Sequence, residues 1–302
     1  MLIHGLRRKS GFSLAVGAVG VAAAGLVLAG CGVPLGPLGI RATETWTHTY
    51  PLNPNGEVTI VNANGRIDVE GVDGGKVEVQ AEKIARGATD QIAHDLLPRI
   101  PIEEHATPDF VSVETRRLNG FLIGASYEVR YHVKVPKTAT LRATTVNGGV
   151  RVEGMDGRVI ARTTNGGIFA TAIGGAFEGR SVNGGVRVQF ASLTGGPTEL
   201  RTVNGGVRVA LPESAKATVS ATWVNGGINL SGLQFEIVEQ SRRRFEGRLN
   251  GGGPMLEVTT VNGGITIGTQ LDRSGRSARG WDEPPPEEGP ADTVGPVVHE
   301  RR

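Results

Sequence analysis

The sequence predicts an all-β fold built from repeats of 18 to 21 residues, arranged either as a β-solenoid or as an antiparallel β-meander. The phrase Val-Asn-Gly-Gly, or once Thr-Asn-Gly-Gly, recurs along the second half of the chain and is followed by alternating apolar and polar residues. Regular spacing of this length indicates a repeated structural unit. In addition, 46 glycines and only 5% aromatic residues favour strands and tight turns over a helical core. The asparagines of the series are Asn147, Asn165, Asn183, Asn204, Asn225 and, after a longer interval, Asn262.

The first thirty residues have the composition of an export signal. A basic stretch, "HGLRRKSG", precedes "FSLAVGAVGVAAAGLVLAG", a run of small and apolar residues without a charge. The run ends in Leu28-Ala29-Gly30-Cys31, which resembles the lipobox of bacterial lipoproteins, where the cysteine is lipidated and the chain is cut before it. Residues 1–30 are therefore predicted to be a lipoprotein signal peptide. Cys31 is the only cysteine and is the predicted lipidation site.

A lipid on Cys31 implies an exported, membrane-anchored protein with the membrane as a partner. In a Gram-negative envelope we expect the outer membrane, because Gly32 stands where aspartate is the usual retention signal. The alternative is a plain transmembrane anchor, which the small residues before the cysteine disfavour. Residues 31–44 are predicted to be a flexible tether. Residues 271–302, with "WDEPPPEEGP", are predicted to be a disordered tail rich in proline and glutamate.

Residues 45–136 are predicted to form an N-terminal β region with one short helix. The stretch "GEVTIVNANGRIDVEGVDGGKVEVQAEKIA" alternates apolar and polar residues around Asn-Gly and Asp-Gly-Gly turns. In "ATDQIAHDLLPRI", by contrast, Ile92, Leu96 and Leu97 are spaced for one face of a helix that Pro98 ends. Strand patterning returns in "DFVSVETRR" and "ASYEVRYHVKVP".

Residues 137–270 are predicted to be the repeat region, in which each unit reads as strand, turn, strand, turn. Two columns of apolar residues lie after each asparagine, at the third and fifth positions, with outward residues between them. A further column, at the fourth position before the asparagine, is small or apolar and indicates a second inward-facing strand. The three columns are Val150, Ile168, Val186, Val207, Ile228 and Ile265; Val152, Ala170, Val188, Val209, Leu230 and Ile267; and Ala143, Ala161, Gly179, Leu200, Ala221 and Val258.

The repeated motif is predicted to be a corner between strands. In its first full copy, Asn147, Gly148 and Gly149, the glycines tolerate positive φ angles and the asparagine side chain can add hydrogen bonds. Two architectures fit this register. In a solenoid, equivalent residues of successive coils stack in parallel. In an antiparallel β-meander each motif is a hairpin turn. Residues 236–254, with charged Arg244, Glu246 and Arg248 at expected inward positions, are interpreted as an inserted loop.

The repeats resemble those of the DUF4097-type putative adhesin family of exported bacterial proteins. The resemblance rests on "TVNGGVRVEG" and its copies, on "VNANGRIDVEGVDGGKVEV" and on "YEVRYHVKVP", and covers roughly residues 55 to 268. It implies a β-solenoid and favours the stacked arrangement over the meander. It also implies a protein that binds or supports other envelope components.

Two columns of outward arginines are the candidate binding surface. One column comprises Arg151, Arg187 and Arg208, and the other comprises Arg162, Arg180 and Arg201. Stacked arginines could hold phosphate or carboxylate groups bidentately. The hypothesis is a positive stripe that binds an anionic envelope polysaccharide. The competing interpretation is a solvated sheet face, in which Glu153, Glu178 and Glu199 relieve the repulsion between the arginines.

These features predict a lipid-anchored cell-envelope protein with a non-catalytic binding or scaffolding role, whose partner is an anionic polysaccharide or another envelope protein. A second hypothesis is an envelope-stress sensing or regulatory module. A polysaccharide lyase or hydrolase is disfavoured, because the repeat columns carry no paired carboxylates. The six histidines show no metal-ligand spacing, and neither metal nor cofactor is predicted. The formal charge is +2 and the leader carries three basic residues, so the near-neutral mature chain gives no reason to expect nucleic acid.

Overall fold

The computed structural model describes residues 40–118 and 124–269. The predicted signal peptide, Cys31 and the predicted tail at 271–302 lie outside the described residues. The predicted tether, residues 31–44, is corrected at its end. Residues 40–44 belong to the first strand and pair with residues 83–87.

The described residues form 21 strands, one α-helix and one 3₁₀ turn, Leu97–Arg99. The elements up to the first repeat are β1 (Ile40–Pro51), β2 (Glu57–Asn64), β3 (Ile67–Val72), β4 (Lys76–Gly87), α1 (Asp90–Leu96), β5 (Glu103–Thr107), β6 (Phe110–Thr115) and β7 (Ala125–Pro136). The repeats contribute β8 (Thr140–Asn147), β9 (Val150–Glu153), β10 (Val159–Asn165), β11 (Ile168–Gly175), β12 (Phe177–Asn183), β13 (Val186–Gly195), β14 (Thr198–Asn204), β15 (Val207–Ala210), β16 (Ala217–Asn225), β17 (Ile228–Ser231), β18 (Phe235–Gln240), β19 (Arg244–Leu249), β20 (Met255–Asn262) and β21 (Ile265–Gly268).

These strands form two sheets. Sheet A has the spatial order β1-β4-β7-β3-β9-β11-β13-β15-β21-β17. Sheet B has the order β18-β19-β16-β20-β14-β12-β10-β8-β2-β6-β5. Each Asn-Gly corner joins a strand of sheet B to the following strand of sheet A. One such strand pair is called a coil below.

Successive coils stack in parallel and in register. Strand β10 pairs with β8 on one side and with β12 on the other, which sets Asn165 beside Asn147 and Asn183. The two strands of one coil, such as β8 and β9, belong to different sheets. A hairpin meander requires those two strands to pair with each other. The β-solenoid prediction is therefore confirmed, and the meander is excluded.

The core lies between the two sheets and is filled by the predicted inward columns. The residues three and five positions after each asparagine are at most 2% exposed, except in the coil of Asn225, where Ile228 and Leu230 are half-buried. The column four positions before the asparagine is also buried, and Leu200 and Val258 are fully enclosed. Phe177 and Phe190 fill one layer edge to face, with ring centroids 6.4 Å apart. Alternation of inward and outward side chains thus specifies the core.

The spatial order of the coils departs from the chain order at one place. Strand β20 lies between β14 and β16, and β21 lies between β15 and β17. The coil of Asn262 is therefore inserted between those of Asn204 and Asn225, although the sequence places it last.

A hairpin makes this insertion possible and corrects the loop predicted for residues 236–254. Strands β18 and β19 pair with each other, and β19 runs antiparallel to β16. The inward residues of β19 are Phe245 and Leu249, at 0% and 2% exposed. The inward positions of this strand are therefore shifted by one residue from the predicted inward position of Arg244. The chain leaves the outermost coil through the hairpin and returns inside it.

The N-terminal region continues the same stack. Strands β2 and β3 pair in parallel with β8 and β9, and β1, β4 and β7 extend sheet A in antiparallel order. The predicted short helix is α1, whose N-cap Thr89 accepts a hydrogen bond from Ile92 N–H at 3.3 Å. Ile92 is 40% exposed, so the buried face is formed by Ala93, Leu96 and Leu97 instead. Within the described ranges, no helix has the length and apolar character needed to cross a membrane.

Candidate functional site

The corners of successive coils are joined by a ladder of asparagine side chains. Nδ2 of each asparagine donates to Oδ1 of the asparagine in the neighbouring coil, at 2.7 to 2.9 Å. The first member, Asn64, was not predicted from the sequence, although Ile67 and Val69 stand three and five residues after it as in the other coils. In spatial order the ladder is Asn64, Asn147, Asn165, Asn183, Asn204, Asn262 and Asn225.

The glycine that follows each ladder asparagine is required by the closeness of the coils. A Cβ on Gly166 would lie 1.9 Å from the carbonyl oxygen of Gly148, and one on Gly148 would lie 2.2 Å from that of Gly65. Gly148 also has a φ of 153°, which disfavours any side chain. The second glycine of the corner has more room, since a Cβ on Gly149 would be 3.3 Å from its nearest neighbour. Therefore only the first glycine of the corner cannot be replaced by a residue that has a Cβ.

A second ladder, of buried hydroxyl groups, lies inside the corner. Two residues before the asparagine, a threonine or serine donates to the carbonyl of the first corner glycine in the neighbouring coil. For Thr163 and Gly148 the distance is 2.8 Å, and for Thr202 and Gly184 it is 2.7 Å. The column was not identified from the sequence, although small hydroxyl residues recur there. Its members are Thr145, Thr163, Ser181, Thr202 and Thr260.

The six predicted arginines do not form one stripe, because the corner divides them between two faces. Arg162, Arg180 and Arg201 lie on adjacent strands of sheet B. Arg151, Arg187 and Arg208 lie on strands β9, β13 and β15 of sheet A. Residues on the two sides of a solenoid corner belong to different sheets, so these columns face different directions.

The arginines of sheet B are interleaved with glutamates. Glu178 Oε1 lies 2.6 Å from a guanidinium nitrogen of Arg162 and 3.1 Å from one of Arg180. Glu199 Oε1 lies 3.0 Å from a guanidinium nitrogen of Arg180 and 2.5 Å from one of Arg201. Burial raises the pKa of Glu178, but the hydrogen bond from Arg162 and the nearby guanidinium charges outweigh it, and the net pKa is lowered. This face is a chain of ion pairs in which the positive charge is largely balanced.

The arginines of sheet A lie in a row across the strands. The row runs Arg151, Phe169, Arg187, Arg208, with Arg187 and Arg208 directly opposite each other on paired strands. The guanidinium of Arg151 lies over the ring of Phe169, 5.2 Å from its centroid. At the start of the row, Arg151 Nε is 4.0 Å from Oδ1 of Asp68.

The N-terminal end of the stack holds an aromatic and polar cluster. Trp46 stacks on His48 at 4.3 Å, and His48 Nδ1 lies 2.8 Å from Glu104 Oε2. The hydroxyl of Tyr50 donates to the same carboxylate, and burial together with this bond raises the pKa of Tyr50. Burial likewise raises the pKa of Tyr131, which bonds Thr115, to about 12. The contacts of His48 and Tyr50 with Glu104 connect edge strand β1 of sheet A with edge strand β5 of sheet B.

Little else in the described ranges suggests chemistry. A small cavity of about 150 Å³ on sheet B is bordered by Arg158, Glu178, Glu199 and Glu257. Pockets for small molecules are usually larger, about 300 to 1,000 Å³. Within residues 40–118 and 124–269, no three His, Cys, Asp or Glu side chains are grouped to hold a metal ion.

The chain matches one protein family and is similar to several solved structures. The chain is similar to a putative cell adhesion protein from Clostridium sporogenes, with 10% identity, a TM-score of 0.42 and coverage of 74% of this chain and 99% of that chain. It is also similar to a putative adhesin from Bacteroides fragilis, with 9% identity, a TM-score of 0.30 and coverage of 74% and 96%. None of the curated proteins compared with the chain matches it. The family model Toastrack DUF4097 matches residues 53–268, from the first coil to the last, and the chain therefore belongs to the DUF4097 family.

Proposed function

We propose that this protein is a lipid-anchored binding or scaffolding protein of the cell envelope, without catalytic activity. The lipid on Cys31 holds it on the membrane, and the solenoid presents sheet A to an anionic envelope polysaccharide. Membership of the DUF4097 family supports a repetitive β domain in this role. The signal sequence and the motif Leu28-Ala29-Gly30-Cys31 support export and anchoring.

Sheet A is the proposed binding face because of one row of outward residues, Arg151, Phe169, Arg187 and Arg208. On strands β9, β11, β13 and β15 this outer face has three arginines, and Glu153 is its acidic residue. The arginine column of sheet B stands beside three acidic residues, Glu178, Glu199 and Glu257, which lie within 3.1 Å of Arg162, Arg180 and Arg201. Adjacent strands lie about 4.8 Å apart, so the row offers a polymer repeated positive charges at short intervals. The binding hypothesis is thereby narrowed from six arginines to three.

Retention on immobilised anionic polymers tests the binding proposal with a matched control. The mature chain with Cys31→Ser is passed over lipopolysaccharide, teichoic acid and a neutral glycan at low and high salt. The double variant Arg187→Gln, Arg208→Gln is compared with Arg180→Gln, Arg201→Gln, which removes the same charge from sheet B. We expect salt-sensitive retention on one anionic polymer that only the sheet A variant loses. Equal loss in both variants would contradict a binding row on sheet A.

The anchor is tested separately in cells. Full-length protein is labelled with a palmitate analogue and partitioned between detergent and water. We expect label and detergent partitioning in the wild type, and neither in Cys31→Ser, because several buried acyl chains hold a protein durably on a bilayer. An unlabelled wild type would remove the anchor from the proposal and leave the polysaccharide experiment unaffected.

A further inference from the structure

Five ladder corners have the same local sequence, Val-Asn-Gly-Gly, centred on Asn147, Asn183, Asn204, Asn225 and Asn262. An asparagine followed by glycine is chemically labile, because the glycine has no side chain to hinder its backbone nitrogen or to restrict rotation. In an unfolded chain the five sites should react alike. Differences between them in the folded protein therefore report the structure alone.

In the inner coils, the glycine nitrogen is held by the next coil. Gly148 N–H donates to Asn165 O at 2.9 Å, and Gly184 N–H donates to Asn204 O at 3.0 Å. The same bond joins Gly205 to Asn262 and Gly263 to Asn225. Among the described strands the coil of Asn225 is the outermost one, with no coil beyond it. Within the described part of the chain, no group accepts a hydrogen bond from Gly226 N–H.

The side chain of Asn225 is also held from one side only. Its Nδ2 donates to Asn262 Oδ1 at 2.8 Å, but no described donor reaches its own Oδ1. By comparison, Asn183 both donates to Asn165 and accepts from Asn204. The corner backbone at Asn225 matches that at Asn147, because φ is 152° at Gly226 and 153° at Gly148. What distinguishes Asn225 is the missing neighbour.

We infer that Asn225-Gly226 is a site of spontaneous deamidation, and that the ladder protects the inner Asn-Gly pairs from the same reaction. The backbone nitrogen of Gly226 loses its proton and attacks Cγ of Asn225. A C–N bond forms, the C–N bond to the side-chain amide breaks, and ammonia leaves with a proton taken from solvent. Water then opens the succinimide ring at either carbonyl, giving aspartate or isoaspartate.

Deamidation of Asn225 would remove the last hydrogen bond of the asparagine ladder. The carboxylate formed at position 225 has no N–H to donate to Asn262 Oδ1, so the 2.8 Å bond between the two side chains is lost. Isoaspartate would in addition lengthen the backbone by one carbon at the corner, where Gly226 already approaches Gly263 too closely to admit a Cβ. The outermost coil is therefore the part of the stack that changes with age.

The test is the rate of deamidation at each Val-Asn-Gly-Gly site in one preparation. The mature chain with Cys31→Ser is incubated at mildly alkaline pH, folded and in urea, and digests are analysed by mass spectrometry at intervals. For each site, the rate in the folded protein is divided by the rate in urea, so that any sequence effect cancels. An Asn225→Ser variant confirms which peptide carries the signal.

We expect Asn225 to react at least about fivefold faster than Asn183 and Asn204 after this correction, in line with the loss of one hydrogen bond. Both aspartate and isoaspartate should appear at position 225. Equal corrected rates at Asn225 and Asn183 would overturn the inference, because reaction would then follow global unfolding and not the missing neighbour. Faster reaction at an inner site would overturn it as well. The Asn-Gly pairs at 55, 64, 119, 165 and 250 do not have the Val-Asn-Gly-Gly sequence and are not part of the comparison.

Discussion

Replacing Gly263 with alanine is expected to separate two coils, whereas the same change at the adjacent Gly264 is not. A Cβ on Gly263 would lie 2.0 Å from the carbonyl oxygen of Gly205 and 2.5 Å from its carbonyl carbon. Carbon atoms pack at about 3.5 to 4.0 Å, so the corner would have to open by about 1 Å or more. A Cβ on Gly264 would meet its nearest neighbour, the carbonyl oxygen of Gly227, at an ordinary 3.8 Å.

The cost follows from the hydrogen bonds that cross the opened gap. Gly205 N–H donates to Asn262 O at 3.0 Å, Asn262 Nδ2 donates to Asn204 Oδ1 at 2.9 Å, and Thr260 Oγ1 donates to Gly205 O at 2.9 Å. At about 1 kcal/mol net for each bond, losing two or three lowers the free energy of unfolding by about 2 to 3 kcal/mol. Alanine at 264 restricts the unfolded chain and should change stability by less than about 1 kcal/mol.

Urea unfolding of the two variants measures this difference. Circular dichroism follows the strands, and tryptophan fluorescence in a variant with Trp46→Phe and Trp281→Phe leaves Trp223, 6% exposed in the outermost coil, to report on the end of the stack. We expect the Gly263→Ala midpoint to fall well below that of the wild type while Gly264→Ala stays near it. Coinciding midpoints for the two variants would refute the reasoning, since the stacking distance would then not be what excludes a side chain.

Three further outcomes are expected from single changes. Thr202→Val should lower the free energy of unfolding by about 1 to 2 kcal/mol, because the carbonyl of Gly184 loses its hydroxyl donor while the volume is kept; a neutral result in urea unfolding would show that the hydroxyl ladder adds nothing. Phe177→Ala should cost about 3 to 5 kcal/mol, because the ring is 1% exposed and packs on Phe190; a loss below about 1 kcal/mol in the same assay would contradict the packing. Glu178 has a pKa below its ordinary 4.5, so its contribution is present above that pH and is lost as pH falls through the folded-state pKa. Glu178→Gln should therefore flatten the decline of stability below about pH 4.5, and an unchanged acid profile would show that the ion pairs of sheet B do not stabilise the fold.

The inward columns could be predicted from the sequence because they depend only on local alternation. Val150 and Val152 follow Asn147 at positions three and five, and a strand must place both on one side. Register alone could not choose between solenoid and meander, since a Val-Asn-Gly-Gly turn satisfies both. The choice depends on which strands pair, which is a long-range property, and the family resemblance provided it.

The division of the arginines could have been predicted by applying the solenoid consistently. Arg180 precedes the corner at Asn183 and Arg187 follows it, and in a solenoid a corner separates two sheets. Glu178 and Glu199 were expected near the arginines, but their individual partners needed the structure, because each contacts an arginine of a neighbouring coil that is distant in sequence. The position of the Asn262 coil could not be predicted from the sequence either, because chain order does not reveal that a hairpin folds back.

The four outer edges of the two sheets explain why the end at Asn225 differs from the rest of the stack. Three of them are strands held by antiparallel pairing: β1 against β4, β5 against β6, and β18 against β19. The fourth, β17, is a four-residue strand that pairs in parallel with β21, and its Ile228 and Leu230 are only half-buried. Short edge strands limit pairing with other chains, and repeat proteins need end units that stop the stack. The hairpin β18–β19 covers the outermost coil in sheet B alone, so among the described strands sheet A ends on β17 with no further strand beside it. The corner between these two sheets is Asn225-Gly226. The Gly226 N–H finds no acceptor among the described residues because the β18–β19 cap protects the last coil in sheet B and not in sheet A.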